Sequence, residues 1–122
     1  METVQPITEK VKTFEEACAV LGIDPLEIHF PDDKPDEVAY KKLKVIAAAL
    51  NEGWVPNWDN GSEEKWFPWF NMDSSSGFSF FGCDDWRSAS GVGSRLCFKS
   101  SELATYAGKQ FIKFYEQYFQ IK

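Results

Sequence analysis

The hydrophobic period of the chain changes twice along its length, and this change restricts the folds open to it. Apolar residues recur at helical spacing in residues 13–22 and 36–52, between capping and stop signals. From Trp66 to Phe98, short aromatic or β-branched stretches alternate with turn residues, as is typical of strands. Helical spacing returns after Ser100. The order of these patterns predicts an α+β domain.

Three short stretches in the middle of the chain predict the sheet. They are residues 66–72, 77–83 and 94–98, and a turn at 73–77 joins the first two. We expect a three-stranded antiparallel meander that is packed on one face by two to three helices. Alternation places Phe78, Phe80, Leu96 and Phe98 on the helix side. The opposite side, exposed or facing a ligand, would carry Phe81, Cys83, Arg95, Cys97 and Lys99.

The predicted domain organisation is simple. Residues 1–12 are polar and without a clear period, which predicts an N-terminal arm, and residues 13–122 form a single α+β domain. The segment 45–50 is apolar on every side, so we expect neighbours to bury it on several faces. The last helix begins at Ser100 or Ser101, and its wide apolar arc predicts packing against both the sheet and another helix.

Charge limits the classes of partner. The net charge is −6, and residues 1–61 carry twelve acidic and six basic side chains, against seven of each in residues 62–122. Duplex nucleic-acid binding usually needs a basic patch, so we do not expect it. The longest apolar run is far shorter than the ~20 residues of a membrane span. The acidic excess either serves solubility or meets a basic partner.

No set of residues predicts catalysis. His29 is the only histidine, so neither a Ser-His-Asp nor a Cys-His arrangement can form without it. The acidic pair Asp84 and Asp85 is adjacent in sequence and therefore points to different sides. Cys83 and Cys97 would face each other across a symmetric second hairpin, but two thiols are too few for a typical zinc site. We assign no catalytic residue, no metal and no cofactor.

The placement of tryptophan is the strongest anomaly in the sequence. All five lie between residues 54 and 86, at Trp54, Trp58, Trp66, Trp69 and Trp86. Such a cluster either fills the core or builds an exposed binding platform. Our leading hypothesis is a non-enzymatic binding module that engages a protein partner. Its expected binding residues are Trp58, Trp69, Trp86, Arg95 and Lys99.

Two other functions stay open at this point. The first is a small-molecule or anion-binding domain, or a degenerate enzyme, centred on Arg95 and Lys99 beside the start of the last helix. The second is single-stranded nucleic-acid binding by stacking on tryptophan, which the acidic balance disfavours. The oligomeric state is not predicted.

Several segments resemble a known family. They are FEEACAVLGID (14–24), LNEGWVPNWDN (50–60), FPWF (67–70), SGF (76–78) and GSRLCFKSSELATYAGKQF (93–111). They are similar to short uncharacterised proteins encoded by phages and mobile elements of gut Bacteroidetes-type bacteria, which tend to carry tyrosines at positions 66 and 67. The resemblance implies a phage or mobile-element origin and a location in the host cytoplasm or in the virion. It implies no activity and no site residues.

The three cysteines, with no secretion-signal pattern, also predict a reducing cytoplasm.

Overall fold

The computed structural model describes residues 5–73 and 77–121. In chain order the elements are α1 (Ile7–Lys10), α2 (Phe14–Leu21), α3 (Pro35–Asn51), β1 (Lys65–Asn71), β2 (Ser79–Trp86), α4 (Ser101–Gln110) and α5 (Ile112–Phe119). Short 3-10 helices lie at Pro25–Glu27 and Ser94–Leu96. The α+β class is confirmed, because helices flank an antiparallel pair of strands.

Local capping explains why α2 and α3 form where the sequence predicts them. The Thr13 hydroxyl accepts a hydrogen bond from the Glu16 amide at 3.1 Å, and Gly22 ends α2 in the left-handed conformation. Pro35 occupies the first position of α3, where its missing N–H costs nothing. Glu52 ends α3 with φ at 51°.

One side of α3 is left open, contrary to expectation. Most of the apolar residues between 45 and 50 are buried, but Ala48 is exposed and Val45 is only partly covered. The helices α2 and α5 pack on α3 from other directions. The strip around Val45 and Ala48 therefore forms part of the molecular surface.

The predicted last helix is two helices. α4 and α5 meet at Phe111, which leaves the helical conformation (φ −113°, ψ 29°) while its ring is buried in the core. The break allows α4 to pack on the sheet and α5 to pack on α3. The expected contacts with both the sheet and a helix are therefore made, with α4 mainly on the sheet and α5 mainly on α3, although Tyr115 of α5 also contacts Phe70 of β1. Ser100 caps α4, since its hydroxyl accepts from the Leu103 amide at 3.2 Å.

The segment between α1 and α2 lies against α4. Val11 is fully buried, and its carbonyl accepts a hydrogen bond from the Tyr106 hydroxyl at 2.6 Å. The Lys12 carbonyl accepts from the Gln110 amide at 2.8 Å. Residues 7–12, predicted as part of a polar arm, thus contact the helical core.

The predicted three-stranded meander is wrong: within the described residues the sheet has two strands, β1 and β2. The expected third strand begins instead with the 3-10 helix Ser94–Leu96, which follows Gly93 at φ 78°. Only Phe98 pairs with the sheet, and its partner is Trp66 of β1 rather than a residue of β2. The predicted turn at 73–77 includes residues 74–76, which lie outside the described residues.

A buried asparagine explains why residues 97–99 do not pair with a second strand. Its side chain takes the place of that strand. The Asn51 side-chain amide donates to the Cys97 carbonyl at 2.9 Å, and its oxygen accepts from the Lys99 amide at 3.0 Å. On the other edge, Trp66 and Phe98 exchange two backbone hydrogen bonds of 2.7–2.9 Å. Both edges of this segment are therefore satisfied, one by a strand and one by a side chain.

A β-bulge changes the predicted faces of β2. Trp69 pairs with Gly82 but Phe70 pairs with Phe80, so Phe81 is the extra residue. Because of the extra residue, Cys83 lies on the helix side of the sheet. Its thiol is 3.5 Å from the Thr105 hydroxyl of α4. The prediction that Cys83 shares a face with Phe81 is therefore wrong.

Candidate functional site

The side of the sheet turned away from α4 is the first candidate surface. We define this outer face by the alternating residues of the two strands, which pair as Lys65 with Trp86, Phe67 with Asp84 and Trp69 with Gly82. The opposite side meets α4 so closely that a Cβ atom on Gly108 would lie 2.7 Å from the Phe80 ring. Within residues 5–73 and 77–121, the helix that makes the main contacts with the strands is α4, on that opposite side, and loops cover only part of the outer face.

Three aromatic rings stack along the outer face. The Phe67 ring lies 4.9 Å from the Trp86 ring with an interplanar angle of 12°, and 6.1 Å from the Trp69 ring. Phe67 itself is 5% exposed, whereas Trp69 is 46% exposed. Because the stack fixes the Trp69 ring from one side, its exposed area is held in place before any partner binds.

We call one end of the outer face the closed end, because Trp58 and the loops 54–64 and 87–93 lie over it. Lys65 occupies its centre. Its ammonium group donates to the carbonyl oxygens of Asn60 (3.2 Å), Glu63 (3.1 Å) and Arg87, and it pairs with the Glu63 carboxylate at 3.4 Å. The Trp58 ring covers it at 5.1 Å. The side chain is 0% exposed. A buried lysine with this many partners joins both flanking loops to the sheet.

The two predicted binding tryptophans Trp58 and Trp86 lie in this closed end. The Trp58 indole donates to the Ser94 hydroxyl while Lys65 lies over its ring. Trp86 stacks on Phe67, and a Cβ atom added to Gly91 would lie 3.8 Å from its ring. Both rings therefore help to hold the loops 54–64 and 87–93 over the sheet.

A second contact within the closed end involves the carboxylate of Glu63. The Asn57 amide donates to this carboxylate at 2.7 Å and, together with Lys65, holds the pKa of Glu63 below its ordinary value. The charged form of Glu63 is thus the form that the folded loop requires.

The open end of the outer face is a cleft of about 180 Å³ around the bulge. We define it by its lining residues, Trp69, Phe81, Gly82, Cys83 and Asp84. Phe81 is 69% exposed, and Gly82 has no side chain to fill the space opposite Trp69. The Asp84 carboxylate accepts from the Asp85 amide at 2.8 Å and makes no ion pair with any described residue. The cleft thus combines two exposed rings with an unpaired carboxylate.

Arg95 and Lys99, the two predicted binding cations, lie elsewhere. Arg95 lines a groove on the open side of α3, together with Lys44 and Ala48. Lys99 pairs with Glu52 at the end of α3, with 3.4 Å between the nitrogen and the oxygen. The structure therefore distributes the five predicted residues over the closed end, the open end, the groove and an ion pair.

The sequence analysis places Phe81 on the exposed side but does not name it as a binding residue, and it assigns no role to Lys65 or Asn51. Phe81 had a detectable signal, because a glycine inside a strand, here Gly82, often marks a bulge. The roles of Lys65 and Asn51 depend on partners far along the chain, such as Arg87 and Cys97, and no local pattern indicates them.

The cysteines do not form a common site. Cys83 lies beside α4, whereas the Cys97 thiol donates to the Ser94 carbonyl at 3.4 Å on the other side of β1. Burial raises the pKa of Cys97 to about 11, so its thiol stays protonated near neutral pH. Across residues 5–73 and 77–121, no group of three His, Cys, Asp or Glu side chains is arranged to hold a metal ion.

Comparison of the chain with protein-family models, with curated proteins and with solved structures finds no match. The resemblance to phage and mobile-element proteins therefore stays a prediction. In the part of the chain that the structure describes, no helix has the length and apolar character needed to cross a bilayer.

Proposed function

We propose that this protein is a non-enzymatic binding module that engages a protein partner through the open end of its outer face. The observation that carries the proposal is the pair of exposed rings, Trp69 and Phe81, which line one cleft. Exposed aromatic residues with large contact area dominate the energetics of protein interfaces.

The stack behind the cleft supports this proposal. Trp69 is held against Phe67, which is held in turn against Trp86. A ring that is already ordered loses little side-chain entropy when a partner covers it. Tryptophan at such a position therefore gives affinity at a low ordering cost.

The charge at the cleft indicates the chemistry of the partner. Asp84 lines the cleft, and the chain as a whole carries a net charge of −6. A lysine or arginine of the partner could meet the Asp84 carboxylate while its stem lies on the rings of Trp69 and Phe81. A carboxylate beside the rings repels phosphates, so a protein partner is favoured over single-stranded nucleic acid. We place this partner in the host cytoplasm or in the virion, as the resemblance implies.

Affinity capture from producing cells tests the proposal. The wild-type protein is compared with the double variant Trp69→Ser/Phe81→Ser, which removes both exposed rings. The matched control is Val20→Ser/Leu26→Ser, which removes two other exposed apolar side chains that lie in α2 and in the following 3-10 helix. We expect a protein that the wild type and the control retain and the double variant loses. A set of captured proteins that is identical for all three would contradict the proposal.

A further inference from the structure

A groove on the open side of α3 is separate from the outer face. It consists of two adjoining depressions of about 460 Å³ and 430 Å³ that share Lys44, Ala48 and Arg95. Its apolar walls come from both ends of the groove: Leu21, Ile23, Ile28, Val45, Trp54, Val55 and Pro56. Both depressions are open to solvent along the helix. An elongated, shallow shape of this kind suits a peptide segment better than an enclosed small molecule.

The positive charges of the groove have no acidic partner among the residues that the structure describes. Neither Arg95 nor Lys44 forms an ion pair with any residue in 5–73 or 77–121, although Lys44 lies over the Tyr40 ring at 5.1 Å. The other arginine of the chain, Arg87, pairs with both Glu64 (3.6 Å) and Asp85 (3.1 Å).

The residues around the groove do not neutralise its two cations. Lys41, at one edge, is already paired with Asp33 at 2.7 Å. No acidic side chain is among the described residues that line either depression. In a chain with six more acidic than basic side chains, this apolar groove with two unpaired cations is a local exception.

We infer that this groove binds an acidic amphipathic segment of a protein partner. Carboxylates of the segment would pair with Arg95, whose planar guanidinium suits bidentate contact, and with Lys44. Apolar side chains of the same segment would cover Val45 and Ala48 of α3. The inference is independent of the proposed function, because the groove shares no lining residue with the open end of the outer face.

The test uses the full chain and a synthetic helical peptide of sixteen residues, built from leucine on one face and glutamate on the other. Binding is followed by the backbone amide shifts of the labelled protein and by tryptophan fluorescence, because Trp54 lines the groove. We expect saturable binding with shift changes in residues 44–48, 54–56 and 94–95. Replacing the glutamates by glutamine should weaken binding about tenfold.

Two protein variants locate the charge contact. Arg95→Glu should weaken binding of the glutamate peptide about tenfold or more, and Arg95→Gln should do so by a smaller factor. Lys113→Glu, which reverses an exposed lysine on α5, is the matched control and should change binding little. Unfolding curves for the variants establish that each is folded, as expected for an exposed position.

Three results would overturn the inference. The first is equal affinity of the wild type and Arg95→Glu for the glutamate peptide. The second is a set of shift changes confined to residues outside the groove. The third is octanoate, a small amphipathic carboxylate, binding at the same residues more tightly than the peptide, since this would assign the groove to a small molecule.

Discussion

The two ends of the outer face use the same two strands and similar aromatic residues, yet they differ in what covers them. At the closed end, Trp58 and the loops lie over Lys65, and its ammonium group donates to three carbonyl oxygens and pairs with the Glu63 carboxylate. At the open end, Trp69 and Phe81 face solvent around the bulge. Tryptophans that are close together in sequence therefore differ in role: Trp58 covers Lys65, whereas Trp69 faces solvent.

The cause of the difference is the reach of the loops. The loops 54–64 and 87–93 meet over the Lys65 end and satisfy its polar groups. No described loop lies over the cleft between Trp69 and Phe81, where the bulge turns Phe81 outward. We therefore expect changes at the closed end to alter the free energy of unfolding, and changes at the open end to alter binding.

The largest effect should follow Lys65→Met at the closed end. Methionine keeps the apolar stem but removes the ammonium group from three carbonyl oxygens and from the Glu63 carboxylate, which keeps only its other contacts, such as the Asn57 amide. We expect the free energy of unfolding to fall by about 3 kcal/mol. Denaturant unfolding measures it, with Lys113→Met as the matched exposed-lysine control. A loss below about 1 kcal/mol would show that the lysine is not essential to loop attachment.

Trp86→Ala and Trp69→Ala form a matched pair from the two ends. Trp86 stacks closely on Phe67 and supports the loop at Gly91, so we expect its removal to cost about 2 kcal/mol of unfolding free energy. Trp69 contacts Phe67 on one side and is 46% exposed. Its removal should therefore lower the free energy of unfolding by less than about 1 kcal/mol. Equal losses would contradict the distinction between the ends.

The smallest effect is a pH dependence located at Glu63. Its pKa is lowered in the folded state, first by the hydrogen bond from the Asn57 amide and then by Lys65. Its stabilising contribution is therefore fully present above its ordinary pKa of 4.5 and is lost as the pH falls through the lowered value. We expect Glu63→Gln to reduce the acid sensitivity of unfolding between pH 5 and pH 3. An unchanged slope in that interval would exclude Glu63 as a contributor.

Elements with local signals could be predicted from the sequence, and elements with distant partners could not. Thr13 and Gly22 mark α2 because a cap and a left-handed stop act within a few residues. The missing third strand depends on Asn51, whose partners lie 46 and 48 residues away. The break at Phe111 has no glycine or proline to indicate it and arises from packing on two different neighbours.

For the same reason, only part of the candidate site could be predicted from the sequence. The concentration of tryptophan between residues 54 and 86 correctly indicates the sheet region, but burial of each ring depends on which loop reaches it. Alternation alone assigns Phe81 and Cys83 to one face, whereas the bulge separates them. Arg95 was predicted beside Lys99, but a 3-10 turn directs it to the groove instead.

The most direct test of the central claim measures affinity and stability together for Trp69→Ser/Phe81→Ser. The captured partner is titrated against this variant and against the wild type, and the free energy of unfolding is measured for both. We expect the affinity to fall about a hundredfold while the free energy of unfolding changes by about 1 kcal/mol or less. Unchanged affinity for the partner would contradict it.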